Sequence, residues 1–240
     1  TAIGFEALTT NTTGASNTSV GRTSLNANST GNSNTAVGMG SLESNTTANN
    51  NTAIGKNTLQ SNTTGASNVA AGLEALKTNT TGASNIAIGT GALENNTTAS
   101  YNVAIGHDAG LSNTTGAENV AVGYNTLGVN TTGAQNTAVG TYALDANTTA
   151  NSNVALGFFT LTDNTTGASN VAVGASALEN NTTGNNSVAV GRSTLAANST
   201  GAENTAVGTF ALDANTTASN NTAVGYEALT ACFGGEYHWQ

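Results

Sequence analysis

The sequence contains no proline, a single cysteine (Cys232) and few charged or aromatic residues. Charged residues make up 7% and aromatic residues 5% of the 240 positions, so neither a bulky aromatic core nor many ion pairs can hold this chain together. A lone cysteine forms no disulfide within the chain, which excludes a disulfide-stapled scaffold. The apolar residues are mostly alanine, valine and leucine, which predicts a thin core.

Basic residues are scarce and scattered, and this excludes one class of partner. The net charge is −9, and the four basic residues are Arg22, Lys56, Lys77 and Arg192. Nucleic-acid binding requires a clustered basic stripe that neutralises phosphates, so we expect no nucleic-acid partner. No apolar run approaches the ~20 residues of a membrane span, and no signal peptide is present, so we expect no membrane insertion by this segment.

A glycine-centred motif recurs every 17 residues along almost the whole chain. A strict period near 20 residues is typical of a solenoid, in which each repeat forms one coil on top of the last. Fourteen copies are aligned without insertion or deletion on Gly4, Gly21, Gly38, Gly55, Gly72, Gly89, Gly106, Gly123, Gly140, Gly157, Gly174, Gly191, Gly208 and Gly225.

We number the repeat from position 1 to position 17 on the copy 136–152, which begins Asn136-Thr137-Ala138-Val139-Gly140. Positions 2 to 4 are β-branched or small, which predicts a short strand with positions 2 and 4 on one face and position 3 on the other. The glycine at position 5 ends the strand because the chain turns there with positive φ or approaches another backbone closely. Charges fall almost only at positions 6, 7, 10, 11 and 17, which we expect to face water.

Leucine occupies position 9 in every copy except one, where Gly110 stands instead and Leu111 follows. This row is the predicted bulky layer inside the coil, since burying one leucine contributes roughly 1.5 to 3 kcal/mol. The coil around Gly110 is therefore predicted to be the weakest.

Positions 12 to 15 read Asn-Thr-Thr-Gly or a close variant, which is turn chemistry. We expect the glycine at position 15 to supply an unusual backbone dihedral. Stacked coils would bring like residues ~4.8 Å apart, so asparagine ladders are predicted at positions 1 and 12. The predicted structural ladder at position 12 consists of Asn11, Asn28, Asn45, Asn62, Asn79, Asn96, Asn113, Asn130, Asn147, Asn164, Asn181, Asn198 and Asn215.

The segment Asn186-Ser187-Val188-Ala189-Val190-Gly191 resembles the N-S-V-A-I-G signature of the YadA-like heads of trimeric autotransporter adhesins. Similar arrays occur in phage tail fibres and bacterial surface fibres, and the resemblance extends from Thr1 to about Leu229. It implies an all-β fold, a parallel β-solenoid of the left-handed β-roll type, with three chains packed side by side. The 17-residue period is longer than the common unit of that family.

No pattern predicts catalytic, cofactor-binding or metal-binding residues. His107-Asp108 is the only adjacent acid–base pair, and both residues occupy positions expected to be exposed, without a nucleophile. No His or Cys cluster has the spacing of a metal site.

Each Asn-Thr-Thr or Asn-Ser-Thr triplet is also an N-glycosylation sequon. A turn with a ladder is the favoured interpretation, because a glycan at each coil would compete for the same amide. After Leu229 the repeat ends, so we divide the chain into a solenoid (1–229) and a C-terminal cap or tail (230–240) with Phe233, Tyr237 and Trp239.

These features favour a structural rod segment of an extracellular adhesive fibre, either bacterial or phage, that binds by an extended surface. One alternative is a self-assembling extracellular filament subunit. Another is an ice-binding β-roll, although the adjacent threonines at positions 13 and 14 would face opposite ways. The second strand face would be an exposed apolar strip, so we expect a homotrimer with Ala138 or Val139 and their equivalents nearest the axis.

Overall fold

The computed structural model describes residues 1–230 as an all-β parallel solenoid with no helix among them. The chain divides into two compact units, Thr1–Glu118 and Asn119–Gln240. The predicted cap or tail falls almost entirely on residues 231–240, which lie outside the described residues.

The first unit contributes seven strands, each formed by positions 2 to 4 of one repeat except the shorter first one. Each strand pairs in parallel with the next along the chain, in a register that places like positions side by side. The strands are β1 (Ala2–Ile3), β2 (Thr18–Val20), β3 (Thr35–Val37), β4 (Thr52–Ile54), β5 (Val69–Ala71), β6 (Ile86–Ile88) and β7 (Val103–Ile105).

The second unit repeats this arrangement. Its strands are also parallel and in register, so that Val154 lies beside Val171 and Ala155 beside Ala172. The strands are β8 (Val120–Val122), β9 (Thr137–Val139), β10 (Val154–Leu156), β11 (Val171–Val173), β12 (Val188–Val190), β13 (Thr205–Val207) and β14 (Thr222–Val224).

The two strand faces differ in burial, as the alternation of the sequence predicts. In β9, Ala138 is fully buried, whereas Val139 keeps 38% of its surface exposed. The sequence left two candidates for the row nearest the axis of an assembly, the position-3 alanines and the position-4 valines. The alanine alternative is wrong, because the position-3 alanines fill the interior of their own coil. Only positions 2 and 4 remain for an outside partner.

The interior also contains the predicted leucine row. Position-9 leucines from Leu25 to Leu212 are between 0% and 3% exposed, so the prediction of the bulky layer is confirmed. These leucines have φ between +48° and +53°, a left-handed conformation that costs a bulky residue about 1 to 2 kcal/mol. Burial of the leucine side chain offsets that cost.

The left-handed residues bring the backbone of the turn into hydrogen bonds with both neighbouring coils. Tyr142 N donates to Tyr124 O of the preceding coil over 3.0 Å, and Leu144 N donates to Thr160 O of the following coil over 3.0 Å. Non-glycine residues at positions 7 and 17 are left-handed as well, with φ of +52° to +63°. The segment between strands is therefore bonded coil to coil, although it forms no strand.

The two glycine rows have different roles. At position 5, φ lies between +128° and +142°, and a Cβ on Gly140 would meet the backbone of Gly157 in the next coil. At position 15 no glycine has positive φ, so the prediction that this glycine supplies the unusual dihedral is wrong. The left-handed turn residue is at position 17 instead, so the alanine at Ala150 needs no left-handed backbone.

Gly110 interrupts the leucine row, and Leu93 of the preceding coil lies close to the place where a side chain is missing. A Cβ on Gly110 would lie 3.0 Å from Cδ2 of Leu93, so the Leu93 side chain would have to shift slightly for a larger residue at this position. Leu111, the next residue, is only half-buried and does not replace the missing side chain.

Candidate functional site

The position-12 asparagines form the predicted ladder within each unit. In the second unit, Asn147 Nδ2 donates to Asn130 Oδ1 over 2.8 Å, and Asn164 Nδ2 donates to Asn147 Oδ1 over 3.2 Å. In the first unit, Asn45 Nδ2 donates to Asn28 Oδ1 over 2.8 Å. The ladder from Asn28 to Asn215 is buried.

The position-1 asparagines form the second ladder with a different bonding pattern. Asn136 Oδ1 accepts a hydrogen bond from Asn153 N in the next coil over 3.0 Å, and Asn136 Nδ2 donates to Ala150 O over 2.9 Å. Where Ser187 replaces asparagine, its hydroxyl accepts from Asn204 N over 3.2 Å and preserves the contact.

This burial decides between the two interpretations of the Asn-Thr-Thr triplet. The Nδ2 atom that would carry a glycan on Asn147 donates two hydrogen bonds and has no exposed surface. A folded coil therefore cannot accommodate a sugar there.

The neighbouring threonines do face different ways: Thr148 donates its hydroxyl to Thr165 O over 3.2 Å, whereas Thr149 is exposed.

The ladder ends at Asn215 within the described residues. Its Oδ1 atom is buried and has no hydrogen-bond partner there, unlike the same atom of the rungs before it. An unsatisfied buried acceptor costs about 1 to 3 kcal/mol, so this end of the ladder is its least satisfied rung.

We define the outer strand face as the side chains at positions 2 and 4, with position 6 along one border. These three positions hold every exposed large hydrophobic side chain of the described residues except Tyr101 and Val129. The remaining sixteen are Ile3, Phe5, Val37, Met39, Ile54, Val69, Leu73, Ile86, Ile88, Ile105, Tyr124, Val139, Phe158, Val207, Val224 and Tyr226.

An aromatic cluster lies beside this face in the second unit. Tyr124 and Tyr142 meet edge to face at 5.4 Å, Tyr142 stacks on Phe159 at 5.2 Å, and Phe158 meets Phe159 at 4.2 Å. The hydrogen bond with Tyr124 raises the pKa of Tyr142. Because Tyr124 and Phe158 remain about half exposed, the cluster both ties three coils together and presents aromatic surface outside.

This cluster was not predicted from the sequence, although its signal was present. The four aromatic residues fall at positions 6 and 7 of three successive copies, and position alignment alone brings them together.

Nearby, Asp145 accepts a hydrogen bond from Asn125 Nδ2 over 2.7 Å, and burial raises the pKa of its carboxyl group. Position 10 is therefore less exposed here than expected.

No group of three or more His, Cys, Asp or Glu side chains that could hold a metal ion is found within residues 1–230. The exposed His107 and the half-buried Asp108 form a pair with Nδ1 and Oδ2 3.0 Å apart. Over the same residues, no helix is long and apolar enough to cross a bilayer.

Comparisons with known proteins gave no match to a family model, to a curated protein or to a solved structure.

Proposed function

We propose that this chain is a structural segment of an extracellular adhesive fibre, and that its outer strand face packs against further copies of the same chain. The observation that carries this proposal is the concentration of exposed large hydrophobic side chains at positions 2, 4 and 6. Exposed apolar side chains gathered on one strand face of each unit are typical of an interaction surface.

The position-4 row is the part of this face best suited to line an axis between copies. Val139 and Val207 keep 38% and 37% of their surfaces exposed in the isolated chain, while the alanines beside them are fully buried. Closed symmetry is the usual way in which identical chains cover such a strip. The resemblance of the repeat to trimeric adhesin heads favours three copies and left-handed coils, and it is also the basis for the extracellular and adhesive parts of the proposal.

Light scattering tests this association directly. At micromolar concentration we expect a molar mass about three times the 23.5 kDa of the chain. Substituting Val139, Val173 and Val207 with glutamate should split the assembly, because each charge would be buried between chains. The matched control places glutamates at the exposed Thr132, Thr149 and Thr166 of the same unit and should leave the mass unchanged.

Two results would contradict the proposal. A wild-type protein that remains a monomer at micromolar concentration would refute association through any face. An oligomer that is unaffected by the three valine substitutions would place its interface elsewhere.

Ice binding is a second candidate, and one observation favours it. The threonines expected to weigh against it were those at positions 13 and 14, but the outer face also has threonine at position 2 in seven of the fourteen copies, beside valine or isoleucine at position 4. Where threonine recurs in successive strands, as in β2 to β4, the in-register pairing repeats these methyl and hydroxyl groups at ~4.8 Å across the sheet and ~6.6 Å along each strand. Such a regular array can order water.

Because ice and a second copy would use the same face, two measurements separate the candidates. A monomer with thermal hysteresis that the Val139, Val173 and Val207 glutamate substitutions abolish supports ice binding. An oligomer without hysteresis supports the fibre.

A further inference from the structure

Charged side chains are sorted by their position in the repeat. Of the four lysines and arginines, Arg22, Lys56 and Arg192 occupy position 6, and so does His107. No acidic residue occurs at that position. Position 17 shows the opposite preference, because its only charged residues are Glu118 and Glu203.

These two positions border the outer strand face on opposite sides. Position 17 lies just before the buried position-1 asparagine that leads into the strand, and position 6 follows the glycine that ends it. Both Arg192 and Glu203 are exposed. Where charged side chains occur along the edges of the apolar face, position 6 therefore carries the basic ones and position 17 carries the two glutamates.

The acidic border residues occur only in coils that have a basic residue or histidine at position 6. Arg192 and Glu203 belong to one coil of the second unit, and His107 and Glu118 belong to one coil of the first. Arg192 contacts the ring of Phe210, 4.6 Å from its centre, and no carboxylate of residues 1–230 lies within ion-pair distance of its guanidinium group.

The symmetry of the assembly decides which borders meet. Rotation about an axis parallel to the coil stack brings the position-6 border of one copy against the position-17 border of the next. An antiparallel pair would instead bring position 6 against position 6, where Arg192 would meet no carboxylate because that position has no acidic residue. Charge complementarity thus favours the parallel arrangement, since opposite charges across an interface set register and orientation.

We propose that neighbouring copies are joined in register by an ion pair between Arg192 of one copy and Glu203 of the partner subunit. This inference rests on the proposed association through the outer strand face, and it adds the direction and register of the copies. Phe210 supports the arginine from within its own chain, so that the guanidinium group is already held at the border.

A charge exchange at this pair tests the inference. Arg192→Glu and Glu203→Arg each place like charges together across the interface. We therefore expect each variant to raise the protein concentration at which half of the assembly is dissociated about tenfold at low salt. The double variant restores an opposite pair and should recover most of the wild-type value. Analytical ultracentrifugation at 50 and 500 mM NaCl measures this, and the effect should shrink at high salt.

Arg22→Glu is the matched control. Arg22 also occupies position 6, but Ser33 occupies position 17 of its coil, so no like charge would face the new glutamate. We expect less than about a twofold change from this variant. A loss as large as that of Arg192→Glu would mean that net charge at position 6, and not the pair, matters.

The outcomes separate this inference from the proposed function. A wild-type monomer would overturn both. A wild-type oligomer whose double variant dissociates as readily as the single variants would overturn the ion pair and leave the association standing. An independent check is Val190→Cys in a Cys232→Ser background: parallel copies in register should form a disulfide between identical residues, whereas antiparallel copies should not.

Discussion

Asn136 and Asn147 donate their side-chain amides to the same acceptor, the carbonyl oxygen of Ala150, over 2.9 and 3.2 Å. One asparagine leads into the strand and the other begins the turn, so the shared acceptor closes the coil across its interior. The same convergence recurs in the first unit, where Asn34 and Asn45 both donate to Ala48 O. Buried amides with all their partners present give a thin core the specificity that its small side chains lack.

Removing one of these amides should destabilise the coil even where no sugar is attached. Asn147→Ala leaves the Asn130 and Asn164 side chains without a rung between them, and we expect a loss of about 1 to 3 kcal/mol in the free energy of unfolding. Thr149→Ala, at an exposed position of the same coil, should cost less than about 0.5 kcal/mol. Chemical denaturation of protein from a bacterial host measures both, and a near-neutral Asn147→Ala would contradict the role of the ladder.

Truncating a leucine of the interior row should be among the most costly single changes. Leu144 is fully buried, so Leu144→Ala should destabilise the protein by about 2 to 5 kcal/mol. Asp163 is exposed, and Asp163→Ala should change stability by less than about 0.5 kcal/mol. Equal losses of stability for the two variants in urea denaturation would contradict the placement of Leu144 in the interior of the coil.

The two glycine rows should respond differently to alanine. Gly140 has a φ of +131° and faces the next coil's backbone, so Gly140→Ala should cost about 2 kcal/mol or more. Gly133 occupies position 15, where the backbone is not left-handed and alanine is native in the following coil. A Cβ on Gly133 would still meet Ala150 O and Asn130 Oδ1, so Gly133→Ala should cost about 1 to 2 kcal/mol, less than Gly140→Ala. Thermal unfolding followed by circular dichroism compares them, and the reverse order would refute the assignment of strain to position 5.

Filling the gap in the leucine row should stabilise the first unit. Gly110 has a φ of +63°, close to the values of the leucines in other coils, so Gly110→Leu needs no new backbone conformation. Leu93 must move aside, and we expect a net gain of about 1 to 2 kcal/mol. Gly110→Ala separates the effect of removing glycine from that of burying leucine. A Gly110→Leu variant less stable than wild type would show that the coil has adapted to the smaller residue.

Several details of the fold were not predicted from the sequence because they depend on backbone geometry between coils. The period of 17 and the alternation around Ala138 predicted the strand and its two distinct faces. The left-handed conformation of Leu144 was not predictable, since leucine disfavours it and only burial together with the bond to Thr160 O stabilises it. The glycine at position 15 suggested positive φ by composition, whereas the structure assigns that conformation to Ser152 at position 17.

The sequence by itself determined the solenoid, its leucine layer and its asparagine ladders, because a strict repeat places each residue beside its own equivalents once coils stack. Only the tertiary structure decided which strand face is outside, that the sequon asparagines are buried, and that Tyr124, Tyr142, Phe158 and Phe159 form one cluster. Those properties depend on how each coil closes on itself, and closure is achieved by the amides of Asn136 and Asn147 meeting at Ala150.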